Sequence, residues 1–215
     1  MATDAKEYVS QREATGKHTA RRQQAIDAAA AIFARDGFNG ASTRAIAEAL
    51  GIKVASLYFH IASKEDALAE ICILGMQRSL SYLDSARQQK TLAEQIRHFF
   101  ECQRDDMIEH ADYVAVSIRE RDKLSDPALN RIRDLTAQFR SNMDEMFLLA
   151  EQRGELHSDL TPRHCRFIMI GTLRGLSETY LSGVDLSTED LTDRWISAVV
   201  RGMVKDPAKD TAVQS

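Results

Sequence analysis

Apolar side chains recur along this chain at the three-and-four spacing of helices, and no stretch of useful length shows the two-residue alternation of a half-buried strand. Ile26, Ala29, Ala30 and Phe33 share one face of a helix predicted from about Thr19 to Arg35. Asp36-Gly37 ends it, with the glycine suited to a left-handed cap. Ser42 is placed to cap a second helix carrying Ile46, Ala47 and Leu50. Gly51 follows where a sharp turn is needed, then a short helix from about Val54 to His60. Ser63 opens a fourth helix reaching about Arg87, with Glu65 and Asp66 in the first turn, where the positive helix end favours them. Longer helices are predicted over 91–109, 111–122, 126–153, 161–182 and 188–204. Pro127 and Pro162 mark starts, Gly154 and Gly183 mark stops, and Ser187 with Asp190 looks like a capping box. The expected fold class is all-α.

Composition agrees. Among 215 residues only 10 are glycine and 3 proline, so helix breakers are scarce. Residues 1–16 are polar and aperiodic and read as a disordered tail, and 205–215 as a flexible one. The net charge of −4 conceals an asymmetry: residues 1–65 carry nine basic and seven acidic side chains, the remainder 19 and 25. Only the N-terminal end is therefore suited to meet phosphate. Cys72, Cys102 and Cys165 form no CxxC pair, which points to a reducing, cytoplasmic setting without disulfides. His98, His110, His157 and His164 lie at no zinc-like spacing, so neither a metal nor a cofactor is expected. No run of about 18 apolar residues exists, so no membrane partner is expected. No nucleophile elbow, phosphate-binding glycine loop, HExxH or dinucleotide fingerprint is present, which argues against an enzyme.

The chemistry lies around Gly51. A helix-turn-helix needs a small-faced support helix, a tight turn and a second helix free to enter the major groove. Ala45, Ala47 and Ala49 supply the small face, Ile46 and Leu50 the anchors, and Ile52 and Leu57 close the core. Val54, Ala55, Ser56, Tyr58 and His60 then remain for the exposed side. The hydroxyls of Ser56 and Tyr58 can bond phosphate, and Ala55 permits close approach to a thymine methyl. Lys64, in a first helical turn, can reach phosphate together with the helix's amide groups. Thr43 and Arg44, opening the support helix, are placed for phosphate and base contact. Lys17, Arg21 and Arg22 form either a backbone-touching arm or a solvated charge run.

The segment STRAIAEALGIKVASLYFHIASKEDAL resembles the DNA-binding signature of the TetR family of bacterial regulators. The match covers about residues 19–70 and includes AIDAAAAIFARDGF. Thr43, Arg44, Leu50-Gly51, Leu57-Tyr58-x-His60 and Lys64 stand at the family's positions. The resemblance implies a DNA face of Thr43, Arg44, Val54, Ala55, Ser56, Tyr58, Phe59, His60 and Lys64, with Tyr58, His60 and Lys64 chiefly on phosphate. Where the family often carries glutamine or another polar base reader, this chain has apolar Val54 and Ala55. The implied protein is a regulator, most simply a repressor, of double-stranded operator DNA: a helix-turn-helix domain over 17–63, then a ligand-binding and dimerisation domain over 64–204.

Two copies matching a pseudo-palindrome double the contacts of one small motif. Residues 161–182 hold Gly171 and Gly175, a spacing that lets backbones approach closely, followed by Leu176. Residues 188–204 offer Leu191, Trp195 and Val199. In the family these two helices pair with their copies, and packing within one subunit is the alternative for the two glycines. Phe99, Cys102, Met107, Tyr113, Val116, Met143, Met146, Phe147 and Met169 are candidates to line a cavity for a small-molecule effector, apolar or acyl-type, since methionine adapts to irregular ligands. The same stripe can also be plain core.

Overall fold

The computed structural model describes residues 2–184 and 189–205, with side chains from Thr19 onward and excepting 189–191. Helix α1 spans Ala2–Gly40, α2 Thr43–Ala49, α3 Val54–Leu57, α4 Lys64–Ala86, α5 Leu92–Glu109, α6 Ala111–Arg119, α7 Asp126–Gln152, α8 Pro162–Leu181 and α9 Glu189–Met203. A 3-10 turn covers Arg121–Lys123. Among the described residues there is no β-strand, only an isolated bridge between Leu156 and Val204.

The helix starts follow local chemistry. Ser42, extended at φ −128° and ψ 151°, accepts a hydrogen bond from the Ala45 amide. The Ser63 hydroxyl accepts from the Asp66 amide at 3.0 Å, while the Asp66 carboxylate accepts from the Ala62 amide at 3.2 Å. Thr91 with Glu94 and Thr161 with His164 form reciprocal capping boxes, and Pro162 occupies the first turn after Thr161. α1 is interrupted at Gly37, whose φ of 72° only glycine adopts readily, but whose ψ of 160° is extended rather than that of the left-handed cap expected there. Its first residue is Ala2, well before Thr19. The segment 2–16 lacks proline and is rich in Ala, Glu, Lys, Gln and Arg, so helix propensity decides its backbone where apolar periodicity gave no signal. Ser187 and all of 205–215 except Lys205 lie outside the described residues.

The chain divides into two compact units, Met1–Gly75 with Asp112–Leu129, and Met76–Ala111 with Asn130–Ser215. The division falls within α4. In the first unit Ile26, Ala29, Ala30 and Phe33 of α1 are at most 1% exposed, and they join Ile46, Leu57, Ile61, Leu68 and Ile71 in the core. Phe33 meets Phe38 edge-on, ring centroids 5.4 Å apart. α6 belongs here: the Tyr113 hydroxyl donates to Asp27 Oδ1 at 2.6 Å and accepts from Gln23 Nε2 at 2.9 Å, both on α1. The second unit is a helical core around α5, whose buried Ile96, Phe99, Phe100 and Met107 share it with Met143, Phe147 and Met169. The Glu155 carboxylate accepts the Leu92 amide at 2.6 Å at the start of α5.

Candidate DNA-binding interface

The turn between α2 and α3 is built from the backbone outward. Leu50 closes α2, Gly51 takes φ 65°, and the amides of Gly51 and Ile52 return to the carbonyls of Glu48 and Ala47, each at 3.0 Å. A side chain at Gly51 would be strained whatever the space around it. This turn fixes the entry of α3, and Ile46, Ala47 and Leu57 bury the inner side. Regular helix stops at Leu57, three residues before the predicted end. Tighter bonds continue to His60, with the Phe59 amide on Ser56 O at 3.3 Å and the His60 amide on Leu57 O at 2.8 Å. Leu57 and Ile61 act as inward pegs, both at most 1% exposed.

The outward side carries what the sequence nominated. Tyr58 is 52% and Phe59 78% exposed, Ala55 is exposed, and Val54, Ser56 and His60 are half-buried. Thr43 is half-buried and Arg44 exposed, its guanidinium paired with Glu48 one turn on at 2.9 Å. An exposed pair of this kind contributes little and can yield to a phosphate or base. Tyr58, which caps α3, and Phe59 just beyond it leave about half of one ring and most of the other in water, apolar surface that the core does not use.

Arg21, Gln24, Leu50, Ile52, Ser56 and His60 line an open hollow of about 310 Å³. The sequence left Arg21 and Arg22 undecided, and the structure separates them. Arg22 pairs with Glu70 at 3.0 Å, a hydrogen bond that raises its pKa despite partial burial. Arg21 instead faces the hollow beside Ser56 and His60. Gln24 was missed by sequence reasoning; its place one turn from Arg21 was the available signal. The side chain of Lys17 lies outside the described residues.

Lys64, the expected phosphate contact at the start of α4, has partners within its own chain. Its ammonium donates to the Phe38 carbonyl at 3.1 Å and the Ala41 carbonyl at 3.5 Å, and it stands 4.4 Å from the Phe38 ring centroid. The carbonyls between α1 and α2 attract the cation as helix C-termini do. Lys64 thus ties α4 to the start of the reading motif.

The nine candidates for a ligand cavity divide. Phe99, Met107, Met143, Met146, Phe147 and Met169 are all buried in the second unit. Cys102 is half-buried there, its sulfur 3.6 Å from His98 Nε2, and burial followed by nearby Asp105 and Glu101 raises its pKa. Tyr113 and Val116 are buried in the first unit, where Tyr113 is engaged by Asp27 and Gln23.

The six candidates for a dimer face also divide. Leu176 is 2% exposed within its own subunit, and a Cβ on Gly175 would lie 3.3 Å from the Trp195 ring. Both pack internally, with Trp195 half-buried against Gly175. Gly171 is exposed with open space beside it, on the α8 face that also presents Phe167, 56% exposed. Val199 is half-buried, and the Leu191 side chain lies outside the described residues.

Among the described residues no group of three or more His, Cys, Asp or Glu could hold a metal, and no helix is long and apolar enough to cross a membrane. Three histidines have local partners: His98 with Ser85, His157 with the Arg201 carbonyl, His164 with Thr161.

Comparison with known proteins agrees with this geometry. Residues 25–71 match the model of bacterial regulatory proteins of the tetR family, and 89–203 match that of a tetracyclin repressor-like C-terminal domain. The chain is 27% identical over 195 residues to the HTH-type transcriptional repressor KstR2 of Mycobacterium tuberculosis, covering 89% of this chain and 96% of that one. The solved structure of that ketosteroid regulator superposes with a TM-score of 0.75 at 23% identity, over 86% of this chain and 96% of its own. FadR of Bacillus subtilis in complex with stearoyl-CoA gives 0.69 at 18%, over 84% and 98%. AibR in complex with isovaleryl coenzyme A and operator DNA gives 0.69 at 21%, over 84% and 96%. The chain belongs to the TetR family: it is a DNA-binding transcriptional regulator, not an enzyme.

Proposed function

We propose that the chain is a ligand-responsive repressor that acts in the cytoplasm as a homodimer, reads a pseudo-palindromic operator through residues 17–63, and is released by a small apolar or acyl-type effector bound within residues 64–204. The observation that carries the DNA half is the pair of exposed rings, Tyr58 and Phe59, held outward by buried Leu57 and Ile61. Thr43, Arg44, Val54, Ala55, Ser56, His60 and Arg21 complete the DNA face, with Lys64 supporting it from behind. The dimer half is supported by the α8 face on which Phe167 is exposed and Gly171 has open space beside it, with Arg163 and Arg166 over the Phe167 ring and the exposed Arg174–Glu178 pair one turn from Gly171. The effector half is supported by the methionine-rich core of the second unit and by the acyl coenzyme A ligands of FadR and AibR.

Release is a population shift. α4 is continuous from Lys64 to Ala86, so an effector that displaces its C-terminal half also moves the lysine that holds the α1–α2 junction. For 100-fold release the effector need prefer the non-binding state by only about 2.7 kcal/mol. Coupling of this kind is reciprocal. Operator fragments obtained by selection from random DNA must weaken effector binding by the same factor as the effector weakens operator binding. Equal effector affinity with and without operator would remove the ligand-responsive half of this reading, and selection of no common sequence would remove the operator half.

A further inference from the structure

The core around α5 holds polar groups that apolar packing does not require. Gln103 and Asp106 are 4% and 6% exposed, on the α5 face that also carries Phe99 and Met107. One turn before Gln103, Phe99 packs on Phe139 of α7 with ring centroids 6.0 Å apart. One turn after it, the Met107 sulfur stands 4.0 Å from the Ser177 hydroxyl of α8. Asp106 is satisfied: its Oδ1 accepts from Arg78 Nε at 2.7 Å and from the Tyr82 hydroxyl at 2.9 Å. Burial and that contact push the Tyr82 pKa up to about 12, so the phenol keeps its proton. Gln103 differs. Its Nε2 is buried and no hydrogen-bond acceptor is within reach. A buried amide donor in that condition lowers stability, and a leucine at the same position would not.

We propose that Gln103 reads the effector: its Nε2–H donates to a neutral carbonyl oxygen, that of a thioester, ester or ketone, on an otherwise apolar molecule lodged beside Phe99 and Met107. This rests on the reading of the second unit as a sensor and adds the atom that is recognised. The local charge selects a neutral acceptor. Arg78 is already matched by Asp106, and Asp106 stands one turn from Gln103 on the same helix face. A free carboxylate would bring a second negative charge into that low-dielectric neighbourhood, whereas a carbonyl brings only lone pairs.

Calorimetric titration of the full chain tests this with three kinds of probe at chain lengths from six to sixteen carbons: acyl thioesters of N-acetylcysteamine, the matching alkyl thioethers without the carbonyl, and the free fatty acids. At the best chain length the thioester binds about tenfold more tightly than the thioether, the worth of one recovered hydrogen bond. The fatty acid binds more weakly than the thioester. Gln103→Leu erases the preference for thioester over thioether while still binding the thioether, and its ligand-free form melts at or above the wild-type temperature. Equal binding of thioester and thioether by the wild type, or a preference that survives in Gln103→Leu, overturns the role of Gln103 and leaves an apolar effector standing. Fatty acids binding as tightly as thioesters overturn the neutral-carbonyl assignment. No binding of any probe overturns both this inference and the acyl-type reading of the effector.

Discussion

In the unit that carries the reading motif, the side chains that break the usual rules stand outside: Tyr58 and Phe59 are exposed just past the end of the four-residue α3. In the unit built around α5 they stand inside: Gln103, Asp106 and Gln95 are each at most 6% exposed. Both departures cost stability, one by leaving apolar surface wet and the other by drying polar groups. Each is placed where a different partner would offset it. In the proposed function a duplex groove covers the rings and a small molecule takes up the Gln103 donor, while Asp106 and Gln95 already have partners in their own chain. The first unit therefore tolerates change at its exposed rings until DNA is present; in the empty second unit the paired Asp106 does not tolerate change, whereas Gln103, whose buried donor has no partner, does.

Asp106→Ala breaks that contrast most directly. It leaves the Arg78 guanidinium, 22% exposed, without its carboxylate and is expected to cost about 3 kcal/mol in urea unfolding. A loss under about 1 kcal/mol would mean that the buried pair is solvated and the contrast with the first unit is overstated. Lys64→Met removes the ammonium from the Phe38 and Ala41 carbonyls and should cost about 2 kcal/mol while also weakening DNA binding. A variant of unchanged melting temperature with weakened DNA binding would return Lys64 to a purely phosphate-facing role. Tyr113→Phe deletes one hydroxyl shared by Asp27 and Gln23, with an expected loss of about 1 kcal/mol. If it instead altered effector affinity at constant stability, Tyr113 would belong with the ligand after all.

The smallest effect concerns pH. Burial opposes ionisation of Glu155, but hydrogen bonds from Arg153 and the Leu92 amide outweigh it and hold its carboxyl below the usual value of 4.5. A group depressed in the folded state contributes stability that is complete above its unfolded pKa and is lost as pH falls through the folded one. Glu155→Gln should therefore flatten the acid limb of the stability profile below about pH 4.5 and leave its shape above pH 6 unchanged. An acid limb of unchanged slope would place the responsible carboxylates elsewhere.

Much of the architecture was readable because it is set by neighbours in sequence. Ser42, Gly51, Ser63, Pro162 and Gly183 each act within four residues of themselves, and the helices start and stop beside them. The outward side of the reading motif was legible in part: Leu57 was read as core and Ala55 and Tyr58 as exposed, whereas Val54, Ser56 and His60 are half-buried and exposed Phe59 came only with the family resemblance. What escaped depends on contacts between distant segments. Spacing cannot reveal that Lys64 reaches carbonyls 23 and 26 residues earlier. The same holds for Tyr113 on Asp27, 86 residues away, and for Gly175 against Trp195. A tyrosine or a glycine on a helix face looks the same whether its partner is a ligand, a second subunit or its own chain. The helix over residues 2–16 escaped for a different reason, since backbone propensity without apolar periodicity leaves no packing signal to read.

If the chain reads an operator as proposed, the segment from Val54 to His60 must meet DNA. The direct measurement is the affinity of the wild type and of a Tyr58→Ala, Phe59→Ala double variant for an operator selected from random DNA, with melting temperatures recorded for both. The exposed rings predict at least about a tenfold loss of DNA affinity with a melting temperature that does not fall. Undiminished affinity in a folded double variant would contradict the assignment of this edge as the DNA-reading surface.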